Sequence, residues 1–112
     1  MLIIDENNNI KITRGDSAVI TLTVKQGSSD YDFSEDLTQF TVKSNTVTED
    51  IIIQKTFTGS SISLTPNDTK DLYYQDLKFD VQLITPAGEV HTVIAPSDFI
   101  IMEEVNFNVS RT

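Results

Sequence analysis

The sequence predicts an all-β domain, an antiparallel β-sandwich with one short helical crossover. Three observations lead there. Apolar and polar residues alternate along several runs, turn signals separate those runs, and a single segment carries helix signals. Side chains of a strand point to opposite faces in turn, so alternation marks a strand with one buried and one wetted face. Many such strands with little helix between them stack as two facing sheets.

Taken in order, Leu2–Ile4 and residues 10–12 read as an N-terminal hairpin within residues 1–13, closed over Asp5-Glu6-Asn7-Asn8-Asn9. Arg14-Gly15-Asp16 follows as a tight turn, with Gly15 supplying a positive φ and Arg14 and Asp16 flanking it in solvent. Ala18, Ile20, Leu22 and Val24 then share one parity against Ser17, Thr21, Thr23 and Lys25, with Val19 as the apolar intruder. Gln26-Gly27-Ser28-Ser29 is the next turn. Strands follow around Phe40 and Val42, over 51–57 and over 61–64, with Thr58-Gly59-Ser60 turning between the last two. In Leu64-Thr65-Pro66-Asn67-Asp68-Thr69, Thr65 suits a helix N-cap, Pro66 the first helical position and Asp68 the reciprocal capping acid. That segment predicts one or two helical turns bridging two strands.

Leu77, Phe79, Val81 and Leu83 alternate against Lys78, Asp80 and Gln82. After the turn Pro86-Ala87-Gly88, two more strands are expected over 90–95 and 98–102, separated by a turn at Pro96-Ser97. Val105, Phe107 and Val109 alternate against Asn106, Asn108 and Ser110 as a last strand. Ile20, Leu22, Phe79, Val81 and Phe107 are the expected core between the sheets. One hundred and twelve residues fit one sandwich domain over 1–112. A chain of this length buries roughly 65% of its unfolded surface, enough for a core without staples.

Composition narrows the function classes. There is no cysteine, which excludes disulfides, thiolate metal sites and cysteine nucleophiles. Eight basic against seventeen acidic residues give a net charge of −9, so a phosphate backbone or an anionic membrane surface is repelled. Neither nucleic acid nor membrane is expected as a partner. No apolar run approaches the roughly 20 residues that span a bilayer, and the start of the chain does not read as a signal peptide.

Catalytic residues are few. His91 is the lone histidine, on a strand with Val90, Thr92 and Val93, and no Gly-x-Ser-x-Gly elbow accompanies it. A half-exposed strand histidine is the expectation, with no catalytic residue assigned. The run Asp30-Tyr31-Asp32-Phe33-Ser34-Glu35-Asp36 has carboxylates at alternate positions, as calcium loops begin. It lacks the glycine of the sharp turn, and Thr41 stands where a bidentate glutamate belongs. A solvated acidic loop with Tyr31 and Phe33 turned inward is expected, with no metal and no cofactor. Asn67-Asp68-Thr69 and Asn108-Val109-Ser110 match the glycosylation sequon.

The order of several blocks carries a resemblance. Ile12-Thr13-Arg14-Gly15-Asp16-Ser17 leads an alternating strand. Tyr31-Asp32-Phe33 precedes Phe40-Thr41-Val42-Lys43, then Ile62-Ser63-Leu64-Thr65-Pro66-Asn67-Asp68-Thr69. Phe79-Asp80-Val81-Gln82-Leu83, Gly88-Glu89-Val90-His91-Thr92-Val93 and Phe99-Ile100-Ile101 close the series. From about residue 10 to 109 the chain resembles the small immunoglobulin-like domain of tail and baseplate proteins of phages and prophages of Gram-positive bacteria. It is similar to the N-terminal domain of the baseplate upper protein family. That family tends to carry a glycine and then a tyrosine before its Asp-Val-x-Leu strand, where this chain has Tyr73-Tyr74-Gln75-Asp76-Leu77-Lys78. The resemblance implies an immunoglobulin-like sandwich, no enzymatic activity, no cofactor and no active site. It implies a structural module of tail or baseplate, made in the bacterial host cytoplasm and resident in the virion. Its partners are then other virion tail and baseplate proteins.

A second function class stands beside it, a bacterial surface adhesin or carbohydrate-binding module, since sandwiches serve both and fold does not fix function. Tyr73, Tyr74 and Gln75 are the candidates for glycan contact, although one ring is expected to pack under the helical turn and the other to cap a sheet edge. Val19, Ile52, Ile100 and Met102 sit on the parity that faces water. With Tyr73 and Tyr74 they are the candidate interface, through which the chain either forms a homo-oligomer or docks on a partner. In the competing expectation, the N-terminal hairpin and the crossover cover that second face.

Overall fold

The structure, a computed structural model, describes residues 1–103. The last alternating run, Val105, Phe107 and Val109, lies outside the described residues, and so does the core position expected for Phe107.

The protein is an all-β sandwich of unequal layers. One sheet holds six strands in the order β1 (Leu2–Ile4), β2 (Ile10–Thr13), β10 (Val90–Met102), β9 (Gln75–Ile84), β6 (Leu37–Lys43) and β7 (Ile51–Thr56). The facing layer holds two strands, β3 (Ala18–Thr21) and β8 (Ser61–Leu64), and a small hairpin joins β4 (Lys25–Gln26) to β5 (Ser29–Asp30).

Alternation places the core where the sequence predicts. Leu77, Phe79, Val81 and Leu83 of β9 are buried, as are Phe40 and Val42 of β6, Ile10 and Ile12 of β2, and Ile20 with Leu22 opposite. Phe40, Phe79 and Phe99 come from three adjacent strands and stack at the centre. Their ring centroids are 5.1 Å apart for Phe40–Phe79 and 5.9 Å for Phe40–Phe99, the latter edge to face.

Three features depart from expectation. First, one pair in the sheet is parallel. Ile10 lies opposite Phe99 and Ile12 opposite Ile101, while the other ladders run antiparallel. A parallel pair needs a long connection, and β2 and β10 have one, because the chain leaves β2 for the other layer. Second, the two strands expected over 90–102 are one continuous strand. Ile94 pairs with Val81 and Ser97 with Phe79, so one extra residue is taken up there. Pro96, which has no N–H for a ladder, sits within that bulge. Third, the N-terminal hairpin extends the large sheet at its edge as strands β1 and β2 rather than lying across its outer face.

The crossover forms as read. Helix α1 (Pro66–Thr69) follows Thr65 in extended conformation, and the Thr65 N–H donates to Asp68 Oδ2 at 2.7 Å. Lys55 of β7 reaches the same carboxylate at 3.0 Å, tying the helix to the large sheet.

Thr38 of β6 is 1% exposed, and its hydroxyl has no hydrogen-bond partner among the described residues. A buried hydroxyl left unpaired is costly, whereas an apolar group of the same shape is not. Thr38→Val is therefore expected to stabilise the fold by about 1 kcal/mol. A lower denaturation midpoint for the variant would contradict this.

Candidate functional site

The candidate catalytic and metal residues do not converge. His91 is exposed on β10, in register with Leu83. In the acidic stretch the Tyr31 hydroxyl donates to Asp36 Oδ2 at 2.7 Å, Ser34 N–H donates to Asp32 Oδ1 at 3.0 Å, and Asp30 pairs with Lys25. These contacts raise the Tyr31 pKa, chiefly through the bond to Asp36, and lower that of Asp32 through the Ser34 N–H. Among the described residues, no three acidic, histidine or cysteine side chains gather as a metal set. Phe33 is buried and Tyr31 half-buried, as expected. No helix among the described residues is long and apolar enough to cross a membrane.

The Arg14-Gly15-Asp16 turn is built into the fold. Gly15 has φ 80°, and its N–H donates to the buried Thr69 Oγ1 at 2.7 Å. Arg14 and Asp16 were expected in solvent, yet both are half-buried. Arg14 donates to the Leu72 carbonyl at 3.4 Å, and Asp16 is ion-paired with the Met1 ammonium. The turn serves to lock β2 and β3 onto the crossover.

The outer face of the large sheet is polar. Gln39 lies opposite Gln82, and Thr41 opposite both Asp80 and Gln54. These residues line a shallow groove of about 270 Å³. Asp80 is half-buried there, and burial raises its pKa, partly countered by Lys43. A carboxyl whose pKa is higher folded than unfolded binds more protons when folded, so stability falls as pH rises through the two values. Asp80→Asn is thus expected to melt higher than the parent at pH 7. The gap should close when the pH drops below the ordinary carboxylate range. Thermal melts at both pH values check this, and a variant melting lower at pH 7 contradicts it.

The six candidate interface residues divide into two groups. Tyr73 and Tyr74 are 68% and 61% exposed, so neither packs under the helix or caps a strand. The Tyr74 N–H donates to Glu103 Oε1 at 3.3 Å, which ties this segment to the residue after β10. Ile100 is half-buried on the same strand, in register with Asp76. Val19 and Ile52 stand apart. Val19 is exposed on the two-stranded layer, and Ile52 is the extra residue of a bulge in β7, separated from β10 by the two strands β9 and β6. Val19, Ile52 and Ile100 therefore do not form one patch on neighbouring strands.

Backbone edges supply what the side chains do not. The Leu22 N–H donates to the Ser60 carbonyl at 2.7 Å, which fixes the phase of the β3–β8 ladder. By the same alternation, the N–H and C=O groups of Val19, Thr21 and Thr23 point away from β8. No strand pairs with that edge among the described residues. On the large sheet, the Phe57 N–H donates to the Thr38 carbonyl at 2.9 Å, which by alternation turns the backbone groups of Gln54 and Thr56 outward. Beside the β3 edge a slot of about 240 Å³ opens between the layers, reaching Phe40 and Phe79. Sequence reading missed this slot because it arises from the shortness of the second layer. Comparison with protein-family models, with curated proteins and with solved structures returns no match for this chain.

Proposed function

We propose that the protein is a non-enzymatic structural module of a phage or prophage tail or baseplate, made in the bacterial host cytoplasm and carried in the virion. It works by contact with other tail and baseplate proteins. The observation that carries the contact part of this reading is that strand edges, those of β3 and β7 among them, have no pairing strand among the described residues. Unpaired N–H and C=O groups accept another chain's backbone, and proteins that stay alone cover or charge such edges. Lys55, the one charge on β7, is already engaged by Asp68 and does not guard the edge. The tail assignment itself rests on the order of sequence blocks described above.

The test is deletion of the coding sequence in a producing strain, followed by electron microscopy of the particles. Tails lacking a distal part, or particles that no longer adsorb, are expected. Particles unchanged in form and infectivity contradict the reading.

A second reading, a carbohydrate-binding module, is favoured by the polar groove around Gln39, Gln82 and Asp80. It is weakened by Tyr73 and Tyr74 lying outside the groove lining, since sugar sites pair polar groups with an aromatic ring. Titration with simple saccharides, with Asp80→Ala as control, separates the two.

A further inference from the structure

We propose that the outer edge of β1 is a self-docking site, on which β1 of a second copy of this chain pairs antiparallel across a two-fold axis at Ile3. This contact goes beyond the reading of the protein as a tail module and does not depend on it.

The edge is open, and its hydrogen-bonding phase is fixed. β1 ends the six-stranded sheet, and no strand pairs with its far side among the described residues. The Thr13 N–H donates to the Met1 carbonyl at 3.3 Å, and the Asp5 N–H donates to the Asn9 carbonyl at 3.0 Å. Ile3, in register with Lys11 between those pairs, faces β2 in the same way. The N–H and C=O groups of Leu2 and Ile4 therefore point outward. A second β1 centred on Ile3 sets Leu2 of each copy opposite Ile4 of the other, and every outward group of these residues then finds a partner. Edges that stay alone are guarded by charge, proline or a bulge. Leu2-Ile3-Ile4 carries none of these, whereas a bulge at Ile52 interrupts the edge of β7.

The side chains agree with the same pairing. Phe99, Ile10 and Ile4 form one row across β10, β2 and β1, and Ile101, Ile12 and Leu2 form the next. The first two members of each row are buried, but Ile4 is 44% exposed and Leu2 only half-buried. The core-facing rows thus run out into solvent at β1. In the two-fold pair, Ile4 of one copy meets Leu2 of the other, so each row continues into the core of the second copy. Ile3, 56% exposed on the opposite face, meets its own counterpart. The same three residues supply both halves of the contact.

Charge sets the sense of the pairing. Lys11 beside β1 lies within Coulombic reach of Asp5 and offsets it, although the chain as a whole carries −9. Parallel strands would set Asp5 beside Asp5. Antiparallel strands send Asp5 and Glu6 of the two copies to opposite ends. The contact is small, since two three-residue strands fall well short of the roughly 1,200 Å² of a stable interface. Weak association is expected, weakened further at low salt by repulsion between two acidic chains.

The experiment follows the full chain by sedimentation equilibrium and by NMR amide exchange as its concentration rises. A monomer–dimer equilibrium with Kd of about 1 mM or tighter is expected, with exchange slowing at Leu2 and Ile4 as the dimer fills. Raising salt from about 0.01 M to about 1 M, which shortens the screening length from about 30 Å to about 3 Å, should tighten it. Ile3→Lys and Ile3→Glu each place like charges opposite one another at the axis, and each should weaken the dimer at least about tenfold. Mixing the two variants places opposite charges there and should restore it, while unchanged melting temperatures show that both are folded.

A chain that stays monomeric at about 1 mM would overturn the proposal. So would growth beyond a dimer, which a two-fold contact closes off, or slowed exchange at Thr21 or Gln54 instead. Failure of the mixture to restore association overturns it too, as does a dimer that salt weakens. Leu2 and Ile4 amides protected equally at every concentration would mean that the chain's own residues 104–112 cover the edge, which also overturns it. The tail reading fails separately, when deletion leaves the particles unchanged, whatever the isolated chain does.

Discussion

Phe40→Ala is expected to cost about 3–5 kcal/mol, the range for removing a fully buried aromatic ring and leaving a cavity. Phe40 is completely buried and touches both Phe79 and Phe99, so its loss exposes two other rings to a void. Those neighbours belong to the two ladders that flank β9, β9 with β6 and β10 with β9. They cannot collapse inward without shifting strands, which places the cost toward the upper end. Against a total stability of about 5–15 kcal/mol, the variant is expected to be marginal at 37 °C. Urea unfolding of parent and variant measures the difference. A loss below about 1 kcal/mol would mean that the three rings are not the centre of the core.

Thr69→Val is the second large effect, and its sign is opposite to that of Thr38→Val. Both threonines are buried, but the Thr69 hydroxyl accepts the Gly15 N–H at 2.7 Å, whereas the Thr38 hydroxyl is unpaired. Replacing Thr69 orphans a partly buried donor in a turn that glycine already holds at φ 80°, so a loss of about 1–3 kcal/mol is expected. It should also loosen the hold of the turn on the crossover, speeding amide exchange at Gly15 and Asp16. The same isosteric change raising stability at Thr38 and lowering it at Thr69 tests the hydrogen-bond accounting rather than packing. Equal effects at both sites would contradict it.

Much of the fold was legible because burial and strand period coincide. The run from Leu77 to Leu83 states which face of β9 is inside, and the strand formed with every apolar member buried. The crossover was legible for a different reason, since Thr65, Pro66 and Asp68 act over four consecutive residues. What local pattern does not encode is which distant strands become neighbours. Ile10 and Ile12 announce a strand, yet nothing in them says that it lies parallel to Phe99 and Ile101. Pro96 reads as a break, and only the partner strand shows that a bulge takes it up.

The site was less legible than the fold. Val19 was correctly placed on the face away from the core, but its meaning lies in the backbone edge it shares with Thr21 and Thr23. Side-chain periodicity carries no record of an unpaired edge. Tyr73 and Tyr74 were expected partly inside, and their exposure follows from the position of β9, which begins only at Gln75.

The central claim is that this chain is built into a virion by contacts along its open edges. The direct measurement is a cryo-electron microscopy reconstruction of purified tail particles from a producing strain. The account predicts the sandwich within the tail or baseplate, with a strand of a neighbouring protein against β3 or β7. Particles without the chain, or with it present and both edges facing solvent, would contradict the account.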